Sequence, residues 1–318
     1  MSLNDLNDYQ AIVRKPVTGS YRGYQVISMP PPSSGGVHIV QMLNVLEQYP
    51  LHQLGLNSAA TLHLMTETMK HAYADRSEYL GDPDFFNVPV DQLTNKAYAK
   101  KIASQIDLKH ATPSSQIKPG KLANYESPQT THYSVVDKWG NAVSNTYTLN
   151  FSYGSGLVAA GTGILLNNEM DDFSAKPGSP NGYGLIGGEA NSVQPHKRPL
   201  SSMTPTIVMK DNKPFIVTGS PGGSRIINTT LQIILNVIDH KLNIAEATNV
   251  ARVHHQWLPD ELRVEHTLSP DTIQILKDLG HNVKVKNAMG STQSIMVTED
   301  GHWGASDPRR LGAAAIGY

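Results

Sequence analysis

The sequence predicts a layered α+β domain with a mainly antiparallel sheet, and three observations support that class. Apolar residues at helical spacing dominate the first hundred residues. Alternating strand patterns around short polar turns begin near residue 130 and return near residue 205. Helices and strands then follow each other again up to residue 297. Helices and hairpins that come in separate runs are typical of α+β layers.

Composition excludes several classes of partner and mechanism. The 318 residues are 39% hydrophobic, enough for a sizeable core, and contain no run long enough for a transmembrane helix. Only 17% are charged and the net charge is −1, so no basic surface for nucleic acid or an anionic membrane is expected. Cysteine is absent, which excludes thiol nucleophiles and cysteine zinc sites. A covalent mechanism would have to use Ser, Thr, Lys or a carboxylate.

The first part of the chain is predicted to be one strand followed by helices. Residues 21–29 have a strand pattern, and the proline and glycine run at 30–36 cannot be helical. Apolar residues three and four apart then predict helices at 37–49, 58–76 and 95–105. A polar, turn-rich loop from 112 to 129 ends this part.

A hairpin is predicted directly after that loop. Strands at 132–137 and 141–149 flank a Lys-Trp-Gly sequence, which suits a three-residue loop with glycine in the left-handed conformation. In that register Thr130 faces Thr148, with both side chains on one face and close together. A two-residue loop would instead pair Thr130 with Leu149.

The remaining elements alternate between loops, strands and helices. A strand at 164–166 runs into the acidic stretch 169–173. Residues 177–188, with five glycines and two prolines, are predicted to form a long mobile loop. The other predicted elements are a hairpin at 205–210 and 214–220, helices at 225–240, 244–252 and 269–279, and strands near 283 and at 293–297.

Thr130 is a candidate nucleophile that would be released by cleavage after Gln129. An internal threonine hydroxyl has no obvious base nearby in this sequence. A threonine at a new N-terminus carries its own base, because its α-amine, with an ordinary pKa of about 8, lies next to the hydroxyl. On spacing alone this interpretation competes with a plain one, in which Thr130 and Thr131 merely begin a strand.

Two glycines between a strand and a helix are candidates for an anion or oxyanion site. Gly222 and Gly223 lie where backbone amides can point at a developing negative charge. The spacing does not match a nucleotide-binding P-loop. The alternative is a tight strand-to-helix turn without a ligand.

Polar residues past predicted strands could hold a zwitterionic substrate. Asn150, Glu169 and Asp172 could clamp an ammonium group, and the hydroxyls of Ser201 and Ser202 could donate to a carboxylate. The spacing does not indicate a divalent metal, because neither a histidine nor a third acid is suitably placed. Ordinary solvated loop residues are the alternative for all five.

Two further clusters are interpreted as structural. His254 and His255 lack further ligands at zinc-like spacing, so we expect buried or hydrogen-bonded histidines. Asp75, Arg76 and Glu78 at a helix end are expected to form an ion-pair cluster rather than part of a catalytic site.

Taken together, seven strings resemble the γ-glutamyltranspeptidases (γ-glutamyltransferases), a family of the N-terminal-nucleophile hydrolase superfamily. They occur in the family's order and span nearly the whole sequence. The strings are MPPPSSGG at 29–36, YADRSEYLGDP at 73–83, TTHYSVVD at 130–137, NNEMDDF at 167–173, KRPLSSM at 197–203, GSPGGSR at 219–225 and GASDPR at 304–309.

The resemblance implies a fold and a division of the chain. The fold would be the four-layer αββα sandwich of N-terminal-nucleophile hydrolases. Residues 1–129 would be the C-terminal part of the large subunit, and residues 130–318 the small, catalytic subunit. The family precursor has a further N-terminal half, with a signal segment and an arginine that grips the donor's α-carboxylate. We therefore expect this sandwich to be incomplete, with apolar surface exposed.

The resemblance also implies an activity. The precursor would cleave itself between Gln129 and Thr130, and the two subunits would stay together as a heterodimer. Thr130 would then take the γ-glutamyl group from glutathione or a related compound and pass it to water or to an amino acid or peptide. No metal or organic cofactor is implied. The family's usual location, periplasmic or secreted, is expected here.

Residue roles follow from the matching motifs. Thr148 would orient Thr130, and the amides of Gly222 and Gly223 would form the oxyanion hole. The donor's α-amine would be held by one set of side chains and its α-carboxylate by another, with a tyrosine in a lid over the site. These are Asn150, Glu169 and Asp172 for the amine, Ser201 and Ser202 for the carboxylate, and Tyr183 in the loop 177–188.

Two other functions remain open at this stage. A cephalosporin acylase of the same fold would act on a glutaryl side chain, which lacks the α-amine and so has no use for Glu169 and Asp172. A non-catalytic fragment that only mediates assembly would remain a single intact chain.

Overall fold

A computed structural model describes residues 2–118 and 130–317 of the chain. Gln129, on one side of the predicted cleavage point, lies outside the described residues. The helices are α1 (Leu3–Asn7), α2 (Gly35–Leu46), α3 (Leu51–Leu54), α4 (Ala59–Tyr79), α5 (Val90–Leu93), α6 (Lys96–Ala103), α7 (Arg225–Ile238), α8 (Ile244–Asn249) and α9 (Pro270–Asp278). The strands are β1 (Val17–Tyr21), β2 (Tyr24–Ser28), β3 (Thr131–Val136), β4 (Ala142–Tyr147), β5 (Thr206–Lys210), β6 (Lys213–Thr218), β7 (Val253–His254), β8 (Leu262–Glu265), β9 (Val283–Lys286), β10 (Gln293–Thr298) and β11 (Gly301–Ser306).

An antiparallel sheet of six strands organises the fold, in the order β1-β2-β5-β6-β10-β11. Val26, Val208 and Ile216 lie on the face of this sheet that joins the main hydrophobic core, where α2, α4 and α7 also contribute. The β3–β4 hairpin contacts β5, β6 and β10. A hydrogen bond joins the hairpin to β6: Ser144 Oγ donates to the Thr218 carbonyl at 2.9 Å. The predicted α+β class with a mainly antiparallel sheet is confirmed.

The hairpin turns its polar face inward. His132, Ser134, Ser144 and Thr146 alternate with outward-pointing residues, and His132 lies against the backbone of Gly219. The outward side chains are about half exposed: Tyr133 46%, Val135 50%, Val143 50% and Tyr147 58%. Apolar surface is therefore exposed here, and the outer helical layer of a four-layer sandwich stays a prediction.

The predicted hairpin register is confirmed. Pairing runs from Thr131 with Tyr147 to Val136 with Ala142, and Gly140 in the three-residue loop has φ +87°. The alternative two-residue loop is therefore wrong. The second predicted hairpin, β5–β6, is also present, turning at Asp211 and Asn212 with positive φ at both residues.

Three predictions about local structure were wrong. The strand at 21–29 is instead the β1–β2 hairpin, because Arg22 and Gly23 both adopt positive φ and reverse the chain. Helix α2 begins at Gly35, inside the run expected to be non-helical. Gly35 lies so close to the Met203 carbonyl that a Cβ would come within 2.3 Å of its oxygen. Residues 164–166 form only one bridge, between Val158 and Leu165.

The core also takes in part of the loop 177–188. Tyr183, Leu185 and Ile186 are buried in the main hydrophobic cluster, although the sequence predicts a surface loop. This packing fixes the segment beside the sheet. In the described residues, no helix is long and apolar enough to cross a membrane.

Candidate active site

Most of the predicted site residues surround one small cavity. They come from the ends of β3, β4 and β6 and from the loops at 169–203. The residues that line it are Thr130, Thr148, Asn150, Asp172, Tyr183, Ser201, Ser202, Met203, Gly223 and Ile226. Gly222 is adjacent to Gly223, and the carboxyl of Glu169 interacts with that of Asp172. Gln129 is not among the described residues.

Thr130 is buried directly before β3, with 8% of its surface exposed. The hairpin register continues one step past Thr131 and Tyr147, which places Thr130 opposite Thr148. Thr148 is itself fixed, because its Oγ1 accepts from the Asn150 amide at 2.8 Å. Arg310 Nη1 donates to the Thr130 carbonyl at 3.0 Å. The backbone of Thr130 is thus held from the hairpin and from the C-terminal segment.

Gly222 and Gly223 form a turn between β6 and α7 that only glycine tolerates well. Their φ angles are +138° and +56°, and a Cβ on Gly223 would lie 2.3 Å from the Tyr183 ring. Within the described residues neither amide donates a hydrogen bond to another group. An amide pair of this kind can bind an oxyanion.

The half-buried carboxyl groups of Glu169 and Asp172 lie side by side on the short turn Glu169–Asp172. Burial raises the pKa of both, and the neighbouring charge of Glu169 raises the pKa of Asp172 further. Two buried acceptors beside them, Glu169 Oε1 and Asn150 Oδ1, have no hydrogen-bond partner among the described residues. A cation with several N–H groups would satisfy these acceptors and favour the ionised carboxylates.

Ser201 and Ser202 have hydroxyl protons available to a ligand. Ser201 Oγ accepts from the Met203 amide at 3.0 Å, and Ser202 Oγ accepts from Arg76 Nη2 at 3.1 Å. Neither hydroxyl donates to another group in the part of the chain that the structure describes. Both can therefore donate to a carboxylate in the cavity.

Arg76 lies behind the cavity lining and contacts Ser202, and the sequence interpretation did not connect it with the site. The expected ion-pair cluster with Asp75 and Glu78 is wrong, because Asp75 instead accepts from Gln41 and Tyr98. Arg76 points toward residues 200–202 and is only 4% exposed. A signal was present: Arg76 continues the buried stripe of α4, three residues after Tyr73.

Tyr183 connects the two sides of the cavity. Its hydroxyl donates to the Asn150 carbonyl at 2.6 Å, and its ring packs against Phe151 with centroids 5.7 Å apart. Gln256 donates to the Tyr183 carbonyl at 3.2 Å. The predicted lid role concerns motion and stays a prediction, but the tyrosine does lie over Gly223.

The histidines outside the cavity are structural, as predicted for His254 and His255. Both are buried, and His254 bonds Asn228 and Gln256. The ligand atoms of another group, His63, Glu67 and His281, lie within 4.8 Å of one another and could hold a metal ion. They are already engaged: the two histidines bond each other at 2.8 Å, and Lys70 donates to Glu67 at 2.8 Å.

The arrangement defines a class of protein first. A buried threonine directly precedes a strand that packs on an antiparallel sheet, beside an amide pair suited to an oxyanion. The N-terminal-nucleophile hydrolases have this arrangement, and solved structures similar to the chain have that fold. The family model described as gamma-glutamyltranspeptidase matches residues 1–317, so the chain belongs to the γ-glutamyltranspeptidase family.

Two curated relatives are similar over nearly the whole chain. A glutathione hydrolase proenzyme of Escherichia coli (strain K12) is 65% identical over 315 residues, 99% of this chain and 54% of the relative. An acylase ACY 1 proenzyme of Pseudomonas sp. (strain SE83) is 38% identical over 299 residues, 93% of this chain and 50% of the relative. The chain thus spans about half the length of the curated relatives it matches.

Solved structures give the same two kinds of neighbour. A cephalosporin acylase from Bacillus halodurans has a TM-score of 0.84 at 27% identity, covering 100% of this chain and 56% of that chain. A gamma-glutamyltranspeptidase from Pseudomonas nitroreducens, complexed with L-DON, has a TM-score of 0.57 at 46% identity. That match covers 59% of this chain and 100% of the other.

Proposed function

We propose that the chain carries the catalytic site of a γ-glutamyltransferase and glutathione hydrolase. The γ-glutamyl group of glutathione or a related donor would be transferred through Thr130 to water or to an amino acid or peptide. One observation carries the proposal: the threonine directly before β3, Gly223 of the amide pair, and Asn150, whose Oδ1 has no hydrogen-bond partner among the described residues, line one cavity.

Maturation would come first. The Thr130 hydroxyl attacks the carbonyl carbon of the preceding peptide bond, and the C–N bond breaks as the amine accepts a proton. The resulting ester is hydrolysed by water, which leaves a carboxylate on residue 129 and a free α-amine on Thr130. In the described structure the Thr130 carbonyl is already anchored by Arg310, so the new terminus would stay in place after cleavage.

Turnover would use the freed α-amine as the base. It accepts the proton of the Thr130 hydroxyl while the oxygen attacks the γ-carbonyl of the donor. The amides of Gly222 and Gly223 stabilise the oxyanion, and the amine leaving group departs with a proton. Water or an acceptor amine then attacks the γ-glutamyl-threonine ester and restores Thr130. Thr148 would orient the nucleophile from across the hairpin.

The other side of the cavity would bind the amino-acid end of the donor. The ammonium group would donate to Asn150 Oδ1, to Glu169 Oε1 and to the Asp172 carboxylate. The carboxylate would accept from Ser201 and Ser202. This polarity matches a γ-glutamyl group, whose two charges flank the same α-carbon.

The division into subunits at Thr130 is part of the proposal. Residues 1–129 would belong to a large subunit and residues 130–318 would form the small one, associated as a heterodimer. The sizes of the two pieces support this division. The Pseudomonas nitroreducens chain is matched over its full length and covers 59% of this chain, and residues 130–318 are about the same share of the 318 residues. A periplasmic or secreted location rests on the family alone.

Replacement of the nucleophile tests the proposal most directly. Thr130→Ala removes the one hydroxyl used in both steps, so we expect no self-cleavage and no turnover of a γ-glutamyl anilide. Thr131→Ala is the matched control, because it removes a hydroxyl one residue away and should mature normally. A denaturing gel with N-terminal sequencing reads out cleavage. Maturation of the Thr130→Ala variant would show that the nucleophile is wrongly assigned.

A glutaryl acylase is the second candidate, favoured by the acylase neighbour that aligns with the whole chain. The acid pair is the discriminating feature, since a glutaryl group has no ammonium for Glu169 and Asp172 to hold. Turnover of γ-glutamyl and glutaryl anilides should be compared under one set of conditions. We expect preference for the γ-glutamyl substrate, and the opposite preference would replace the proposal with the acylase function.

A further inference from the structure

A buried guanidinium connects three of the sequence strings that resemble the family. Arg76, in YADRSEYLGDP, donates from Nε to Ser34 Oγ at 3.0 Å and from Nη2 to Ser202 Oγ at 3.1 Å. Ser34 belongs to MPPPSSGG, and Ser202 belongs to KRPLSSM. A longer contact of 3.5 Å joins Nη2 to the Leu200 carbonyl. The arginine therefore holds residues 200–202, which we call the serine loop, through hydrogen bonds from behind the cavity lining.

The loop at 30–36 is the second support of the same serines. Ser34 donates from Oγ to the Ser201 carbonyl at 2.9 Å, and its amide donates to the same oxygen at 2.9 Å. Ser33 Oγ donates to the Met203 carbonyl at 2.7 Å. A change at Arg76 would thus be felt at Ser202 directly and at Ser201 through Ser34.

The charge of Arg76 has no carboxylate in direct contact among the described residues. Its charge acts on Asp172 in the cavity, whose pKa it lowers. The other groups that act on Asp172 are Glu169 and Asp171, and both raise its pKa. Arg76 is therefore the positive charge that opposes two negative neighbours at this carboxyl.

We propose that Arg76 is a positioning residue for donor binding, which holds the Ser202 hydroxyl toward the donor's carboxylate and places a positive charge where it acts on Asp172 in the ammonium site. This inference rests on the proposed function and assigns a role to a residue that contacts the site only through others. One side chain would thereby set both ends of the amino-acid subsite.

The inference has a direction in pH. Asp172 must be ionised to bind an ammonium, so donor binding strengthens as pH rises through the pKa of Asp172. Removing a positive charge that lowers this pKa moves the transition to higher pH. The acid limb of kcat/KM reports that transition, because kcat/KM follows groups of the free enzyme.

Three variants separate charge from contact. Arg76→Gln removes the positive charge and the guanidinium hydrogen bonds to Ser34 and Ser202. We expect KM for a γ-glutamyl anilide to rise about tenfold, while kcat changes by no more than about twofold. Its acid limb should move to higher pH. Ser34→Ala removes one partner of the guanidinium but keeps its charge, so the acid limb should stay. Arg22→Gln, at the β1–β2 turn, controls for loss of an arginine elsewhere.

A measurement without turnover keeps the test decisive. The pKa of the Asp172 carboxyl can be followed by carbon-13 NMR in the intact chain, with thermal unfolding as a check on folding. We expect a higher pKa in Arg76→Gln and an unchanged one in Ser34→Ala and Arg22→Gln. An equal Asp172 pKa in Arg76→Gln and the unsubstituted chain would overturn the inference. A decrease in kcat of Arg76→Gln with unchanged KM would also overturn the inference.

The outcomes also separate this inference from the proposed function. If the unsubstituted chain neither cleaves itself nor turns over a γ-glutamyl anilide, the proposed function fails. The NMR titration still decides the effect of Arg76 on Asp172 in that case. If the chain is active but Arg76→Gln has an unchanged KM and acid limb, only the role of Arg76 fails.

Discussion

The two sides of the cavity are built in different ways. On the side proposed to react, Thr130 and Gly223 are placed by backbone geometry, through the hairpin register and a turn with positive φ. On the proposed donor side, Arg76 is buried and Glu169 and Asp172 are half-buried, and the charges of Arg76 and Glu169 shift the pKa of Asp172 in opposite directions.

This difference indicates how each side can be changed. His132, the histidine nearest to Thr130 in sequence, has a pKa that burial lowers to about 4, so it is neutral at ordinary pH. The reacting side then needs only the α-amine that cleavage would release. The donor side depends on the balance of its charges. We therefore expect substitutions on the reacting side to lower kcat and those on the donor side to raise KM.

Gly223→Ala should have the largest effect of these substitutions. The new Cβ would lie 2.3 Å from the Tyr183 ring, and the φ of +56° disfavours any side chain. Displacement of the amide should lower kcat by about 10²–10³-fold, as loss of an oxyanion donor does. Gly140→Ala, also at positive φ but with open space around the Cβ, is the strain control. A change in KM alone would contradict the division between the two sides.

Asp172→Asn should have the next largest effect, on KM. A charge-assisted contact to the ammonium is worth about 1.5–3 kcal/mol, or roughly 10- to 100-fold in donor affinity. Asp211→Asn, at the exposed β5–β6 turn, is the control. Steady-state kinetics with a γ-glutamyl anilide measure both parameters. Unchanged KM in Asp172→Asn would remove Asp172 from the ammonium site.

Tyr183→Phe should have the smallest effect. It removes the 2.6 Å hydrogen bond to the Asn150 carbonyl but keeps the ring over Gly223. A neutral hydrogen bond contributes about 1 kcal/mol, so KM should rise roughly fivefold. Loss of kcat by two orders of magnitude would instead give the hydroxyl a part in the reaction and weaken the comparison.

Local turn chemistry explains which parts of the site could be predicted from the sequence. The Lys-Trp-Gly loop determines the hairpin register, and that register is enough to bring Thr130 opposite Thr148. Asp211 and Asn212 likewise determine the β5–β6 turn. In both hairpins the deciding information lies within a few residues, where single-sequence patterns are strongest.

Tertiary packing explains what could not be predicted. The contacts of Arg76 come from residues 42 and 126 positions away, so no local pattern could link it to the serines. Strands β7 and β8 were missed because they are short and contain buried polar residues such as His254 and Arg263 in place of an alternating pattern. The start of α2 at Gly35 depends on the approach of Met203, which lies far along the sequence.

The β3–β4 hairpin turns its polar side chains toward the sheet, so its pairing register determines which residues face the cavity. Neighbouring residues of a strand point to opposite faces, so a shift by one residue would exchange the two faces completely. Tyr133 and Val135 would then turn toward the sheet, and the threonine at the strand's start would turn away from the cavity. The length of the loop that ends at Gly140 therefore sets the register of β3 and β4, and with it the face of the hairpin on which the Thr130 side chain lies.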